Sequence, residues 1–249
     1  MKKNKSENRE AFPKFLGIAL VGLICGLITG FIPGFLDKSL SAIEIYQKLN
    51  TNLHTIAPYA IWLSLILFSG MALYDYRKAK DIFAKWDGED DDFIRVAENK
   101  INYSIMYSQM NMIIVFFFFV VTVIGEMDPI LPVIISLIGF LVTMVVIVYT
   151  QQKTIDLTKA INPEKKGSVY DPKFQKKWLA TCDENEIRQI GQASYKAYTA
   201  TIAVCVILLL VSLIISDVLD AGFYPSLLVV IIWATASIVY FIEAIRISK

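Results

Sequence analysis

ILPVIISLIGFLVTMVVIVY, residues 130–149, contains no charged side chain. As an α-helix rising about 1.5 Å per residue, a run of about 20 apolar residues crosses the roughly 30 Å hydrocarbon layer of a bilayer. Outward from this stretch the pattern repeats. Apolar blocks of similar length occupy residues 15–35, 56–74, 105–125, 197–215 and 223–242, and the charged residues fall almost wholly between or outside them. Buried helices of a water-soluble protein would carry polar positions along one face, so this segregation predicts membrane spans. Lipid offers the backbone no hydrogen-bond partners, so each run is expected to be helical. The expectation is an all-α polytopic protein, one membrane domain over residues 1–249, with six transmembrane helices paired as three hairpins. Composition agrees: 55% of the 249 residues are hydrophobic and 19% charged, and mean hydropathy is +0.53.

Lysine and arginine positions orient the spans. Of the 24 basic residues, all but Lys38 and Lys48 lie in the N-terminal tail, the loops 75–104 and 150–196, or the C-terminus. That side is expected to be cytoplasmic, with both termini inside and the protein in the plasma membrane. The basic start followed by an apolar run resembles a signal peptide, but no small-residue cleavage site follows it, and a retained first span is expected. The lysines beside the span ends favour anionic lipid headgroups as partners over nucleic acid. Cys25, Cys182 and Cys205 show no pairable spacing and read as ordinary thiols.

Gly22, Gly26, Gly30 and Gly34 recur every fourth residue in the first block. Such a strip lets another helix approach backbone to backbone, either from the same chain or from a homo-oligomer or membrane-protein partner. Between the first two blocks, Leu36, Leu40, Ile43 and Tyr46 share a helical face, with Ser41 and Glu44 spaced for a cap. This predicts a short helix lying flat at the outer interface.

The two long loops read alike. One has Lys85-Trp86, an acidic cluster ending at Asp90, Asp91 and Asp92, then Ile94-Arg95 and Tyr103. The other has Lys177-Trp178, Asp183–Glu186, Ile187-Arg188 and Tyr195. The parallel suggests an internal duplication. The acidic residues suit helix N-termini, with Thr181 and Glu184, or Asp183 and Glu186, as a capping box. Spans three and five are therefore predicted to extend as long helices into the cytoplasm. Lys165, Lys166, Lys173, Lys176 and Lys177, interleaved with Tyr170, Phe174 and Trp178, read as a lipid-facing basic patch; docking of a cytoplasmic partner is the alternative.

Catalytic materials are scarce. His54 is the only histidine and has no ligand-spaced companions, so no zinc site is expected. The acidic run Asp87–Asp92 lacks the alternating spacing of a calcium loop. No phosphate-cradling glycine loop or serine elbow is present, and no cofactor or catalytic residue is predicted. No ionisable residue sits in the middle of a block, which counts against a proton-coupled carrier.

Asn162–Asp171, Phe174–Trp178, Cys182-Asp183-Glu184 and Lys85–Asp90 together resemble an uncharacterised family, a domain of unknown function of six-span membrane proteins from Gram-positive bacteria. The resemblance covers nearly the whole chain. It implies fold and membrane location and assigns no activity. The leading expectation is a non-enzymatic protein acting through a partner or self-association, accessory to transport or envelope stress response. The alternative is a small transporter or exporter of an apolar or amphipathic compound, which needs a cavity lined by Asn111, Thr122, Ser136, Thr143, Ser212, Thr235 and Ser237. A membrane enzyme would require several polar groups from Trp86, Asp90, Trp178, Asp183 and Glu184 to converge in one cleft.

Overall fold

The computed structural model describes residues 40–88, 91–124, 130–219 and 221–248, together with Leu20 and Ile24. Apart from Leu20 and Ile24, the first predicted span lies outside these residues, its glycines Gly22, Gly26, Gly30 and Gly34 included, as does Asp90. Every regular element among the described residues is helical. They are α1 (Leu40–Ser64), a π-helical turn (Leu65–Ser69), α2 (Gly70–Phe83), α3 (Asp91–Ile124), α4 (Leu131–Ile161), α5 (Phe174–Leu179), α6 (Glu184–Val218) and α7 (Tyr224–Ile247). Among the described residues, five helical stretches are long and apolar enough to cross a membrane: Tyr46–Phe83, Asp92–Ile124, Leu131–Ile161, Glu184–Ser216 and Tyr224–Ile247.

The element ends follow from local chemistry. Pro132 and Pro225 stand in the first turns of α4 and α7, where a missing N–H leaves no intrahelical bond unmade. At the start of α6 the Glu186 amide donates to Asp183 Oδ1 (2.7 Å), and the Asp183 amide donates to Glu186 Oε2 (2.9 Å). This reciprocal pair is the second of the two capping boxes the sequence offered. α3 and α6 are the long extended helices expected of spans three and five. α2 and α4 also continue past their apolar blocks, to Phe83 and Ile161, which apolar block length alone did not foretell.

One expectation is corrected. The flat interfacial helix around Leu40, Ile43 and Tyr46 is not a separate element, because α1 runs unbroken from Leu40 to Ser64. Residues 47–55 contain neither glycine nor proline. The Thr51 and Thr55 hydroxyls bond back to the Gln47 and Thr51 carbonyls, each at 2.9 Å, so these side chains are satisfied inside the helix and give it no reason to stop.

The chain divides into two compact units, Gln47–Ile187 and Met1–Tyr46 with Arg188–Lys249. In the Gln47–Ile187 unit, α2, α3 and α4 pack on one another. Ala79, Ala97, Ile101, Leu157 and Ile161 form a core at the end where the lysine-rich loops begin, flanked by Tyr76, Phe83 and Ile94. Ala79 and Ala97 are fully buried, and their small side chains let the helices close. Farther along, α4 meets α1 at Gly139, where an added Cβ would stand 2.9 Å from Ile61 Cγ2 and 3.0 Å from Trp62 Nε1.

Polar groups stitch this bundle. Ser104 Oγ donates to the Ala72 carbonyl (2.8 Å), Asn111 Nδ2 to Ser69 Oγ (2.9 Å) and Thr122 Oγ1 to Ser136 Oγ (3.2 Å). His54 Nε2 lies 3.3 Å from the Thr122 carbonyl. Lys100 Nζ bonds the buried Asp75 carboxylate at 2.8 Å, tying α3 to α2. In the other unit, Ser212 and Ser226 hydroxyls meet at 2.8 Å, and the Tyr198 and Tyr240 rings stack at 4.7 Å. These contacts pair opposite ends of α6 and α7, so the two run antiparallel around the turn at Gly222, whose φ is +63°.

Gly139→Val should place two methyl groups where only van der Waals contact exists, lowering stability by about 1–3 kcal/mol. Thermal unfolding in nanodiscs, followed by the fluorescence of Trp62 against Gly139 with the other tryptophans changed to phenylalanine, should show a depressed midpoint. Gly191→Ala, at a position with open space around it, should leave the midpoint unchanged.

Candidate functional site

The loop from Asn162 to Asp183 is pinned back onto the ends of α3 and α4. Asn162 Nδ2 donates to Glu98 Oε1 on α3 at 3.3 Å. Gln152 Oε1 accepts from both Ser168 Oγ and the Val169 amide at 2.9 Å, and Lys159 Nζ donates to the Gly167 carbonyl at 2.9 Å. Gly167 has φ +136°, a region that side chains disfavour, and a Cβ there would meet the Phe174 ring at 2.8 Å. The chain therefore turns tightly at glycine and lays Phe174 over it. Asp171 Oδ1 accepts the Lys173 amide at 2.8 Å, and its other oxygen accepts from Lys177 Nζ.

Lys165 holds the loop closed. Its side chain is 2% exposed and bonds to Glu186 Oε2 and to the Thr181 carbonyl. The ammonium also sits 5.8 Å from the Trp178 ring centre. Burial alone would lower its pKa, but the hydrogen bond and charge of Glu186, together with the neighbouring Cys182, raise it. Glu186 thus has two roles, since the same oxygen receives the capping amide of Asp183. Asp171 is held below the usual carboxylate range, first by the Lys177 hydrogen bond and then by the Lys173 amide.

The basic patch read from the sequence is split by this geometry. Lys166, Lys173 and Lys176 are exposed on the loop's outer side. Lys177 pairs with Asp171. Lys165 is not lipid-facing: it is buried and ion-paired, because the loop folds its side chain inward onto Glu186. Trp178 is half-buried with its ring 5.5 Å from Phe174, and Trp86 stands 6.2 Å from Phe83 at the end of α2. The two loops thus share a Phe–Trp pair at a helix end. Asp183 caps α6, and Glu184, its first residue, is exposed.

Beneath α5 lies a partly enclosed cavity of about 410 Å³. Ile101, Ile105 and Ile155 of α3 and α4 form its apolar floor, with Val169, Phe174 and Trp178 opposite. Asn102, Gln109, Gln151 and Gln175 bring four side-chain amides to it, with Thr158 beside them. Sequence reading passed over these amides. The available signal was Gln109, an amide inside the apolar block 105–125.

The chain matches the family described as "Protein of unknown function (DUF3169)" over residues 9–244 and belongs to it. No curated protein and no solved structure matches it.

Glu186→Gln removes the partner of a buried ammonium and weakens the α6 cap, a loss of a few kcal/mol once the partial exposure of Glu186 is allowed for. Alkylation of the half-buried Cys182 by a maleimide should then accelerate by at least tenfold, whereas Glu184→Gln should leave it unchanged. On the pH axis, Asp171, with its depressed folded pKa, stabilises the loop above its unfolded pKa and loses that contribution as pH falls through the folded value. Lys165, with its raised pKa, contributes below the ordinary lysine value and loses it as pH rises through the folded one. Fluorescence of Trp178, with the other tryptophans changed to phenylalanine, should therefore be flat around neutrality and change at both extremes.

Proposed function

We propose that this member of a family without an assigned activity is a non-enzymatic, multi-pass protein of the plasma membrane that works by association. On this reading it has six spans with both termini cytoplasmic, and it contacts a membrane-protein partner or a second copy as an accessory to transport or envelope stress response. The supporting observation is the pinned loop. A connection that is closed by a buried ion pair and a glycine turn, and that keeps Lys166, Lys173 and Lys176 outward, offers a preformed surface. Preorganisation of this kind lowers the entropy lost on binding.

The exporter reading draws less support. Thr143 and Thr235 hydroxyls bond to carbonyls of their own helices, and Thr122, Ser136 and Ser212 bond across to neighbours. These five groups serve packing, and the Asn111 Nδ2 is engaged with Ser69.

Purification of the full chain in mild detergent should recover a stoichiometric partner or a homo-oligomer. The association should weaken with Lys166, Lys173 and Lys176 changed together to glutamine, or with Gly26→Leu and Gly30→Leu. A monomer unaffected by either set would overturn the proposal. For orientation, Cys182 in a Glu186→Gln background should react with an impermeant thiol reagent in inverted vesicles and not in whole cells.

A further inference from the structure

We propose that the cavity under α5 is a binding site for a neutral amphiphile, a molecule with an apolar body and an uncharged head that donates and accepts hydrogen bonds. Its volume of about 410 Å³ falls in the range of small-molecule sites. Among the described residues, no Asp, Glu, Lys, Arg or His lines it, so none of them compensates a charged ligand. This disfavours phosphates, carboxylates and ammonium compounds alike.

The amides give the site its chemistry. Asn102, Gln109, Gln151 and Gln175 each present two donors and an acceptor. Among the described residues, these four side chains make no hydrogen bond to another protein group, whereas Ser104, Asn111, Thr122, Asn162 and Gln152 do. Four unengaged amides around one space differ from the self-satisfied hydroxyls elsewhere in α3 and α4. Gln109 sits one turn inside an apolar block and is exposed, like Asn102 and Gln175, so its amide is open to a ligand's head group. An apolar ligand alone would make no use of the four amides, and a polar ligand alone would waste the isoleucine floor and the Phe174 and Trp178 wall. The ligand class follows from needing both.

The wall is held by the loop. Phe174 rests on Gly167, and Trp178 lies beside the Lys165 ammonium. Ligand affinity is thus coupled to the ion pair between Lys165 and Glu186.

The test uses the full chain in phosphatidylcholine nanodiscs with Trp62, Trp86 and Trp233 changed to phenylalanine, leaving Trp178 as reporter. Monooctanoylglycerol, octanoate and glycerol are titrated separately. A saturable Trp178 response to monooctanoylglycerol is expected, with octanoate and glycerol at least tenfold weaker. The double variant Gln109→Leu/Gln151→Leu should weaken the response at least tenfold without lowering the thermal midpoint. Equal saturation by octanoate, indifference to the double variant, or no saturable response would overturn the proposal; the last is the outcome if a segment of this chain or a second copy fills the space. Native mass spectrometry of the unmodified protein with the same three probes provides the measurement should the tryptophan replacements unfold it. Repeating the titration at two lipid-to-protein ratios separates the sources. A midpoint that follows mole fraction in the bilayer marks a lipid-derived amphiphile, and one that follows aqueous concentration marks a soluble compound.

Discussion

Hydrocarbon supplies no hydrogen bonds, and the arrangement of the Gln47–Ile187 unit answers to that scarcity. Its helices cannot gain much by hiding leucines from lipid, so they are joined where side chains are small or polar. Ala79, Ala97 and Gly139 allow close approach, and Ser104, Asn111 and Thr122 reach across to Ala72, Ser69 and Ser136. Thr143, Thr150 and Thr154 return their hydroxyls to the preceding turn of α4, which removes a polar liability without needing a neighbour. The large apolar residues, such as Ile113, Phe117, Leu141 and Val145, are left on the outside. In water this would invite aggregation; facing acyl chains, it is the expected arrangement.

The same reasoning changes sign where the helices leave the apolar blocks. At that end the unit builds an ordinary core from Ala79, Ala97, Ile101, Leu157 and Ile161, and it can hold ion pairs. Asp75 with Lys100 and Glu186 with Lys165 are each a partly buried pair in which one member is nearly inaccessible. Such pairs add little net stability relative to apolar replacements, but they penalise any arrangement that separates them. They therefore fix which loop residues lie inward, and Lys165 rather than Lys166 is the inward one.

Much of this was legible in one dimension. Residues 130–149 and their counterparts announce helices by length and by the exclusion of charge, and Asp183–Glu186 announces where α6 begins. The approximate stretches of α3, α4, α6 and α7 follow from those signals. The sites of contact were less legible. Gly139 carries no repeat to mark it, unlike the four-residue glycine strip, and its role depends on Ile61 and Trp62 far away in the chain. Lys165 looked like its neighbours, because its partner Glu186 lies 21 residues along the chain and only folding brings the two together. The cavity amides are dispersed over three elements and converge only after folding. Periodicity reports faces of a helix; it does not report which face meets which.

The π-helical turn at Leu65–Ser69 acts as a shim. An inserted residue in a helix rotates everything beyond it by about 100° relative to everything before. Ile61, before the turn, faces Gly139 on α4, while Ser69, Ala72 and Asp75, at or after it, face Asn111, Ser104 and Lys100 on α3. One continuous helix thereby serves two neighbours that an unmodified α-helix of the same sequence would address at different azimuths. Deleting a single residue within Leu65–Ser69 would restore regular winding and straighten the ladder of backbone bonds. It would also swing Asp75 away from Lys100, so a locally better helix would make a worse bundle.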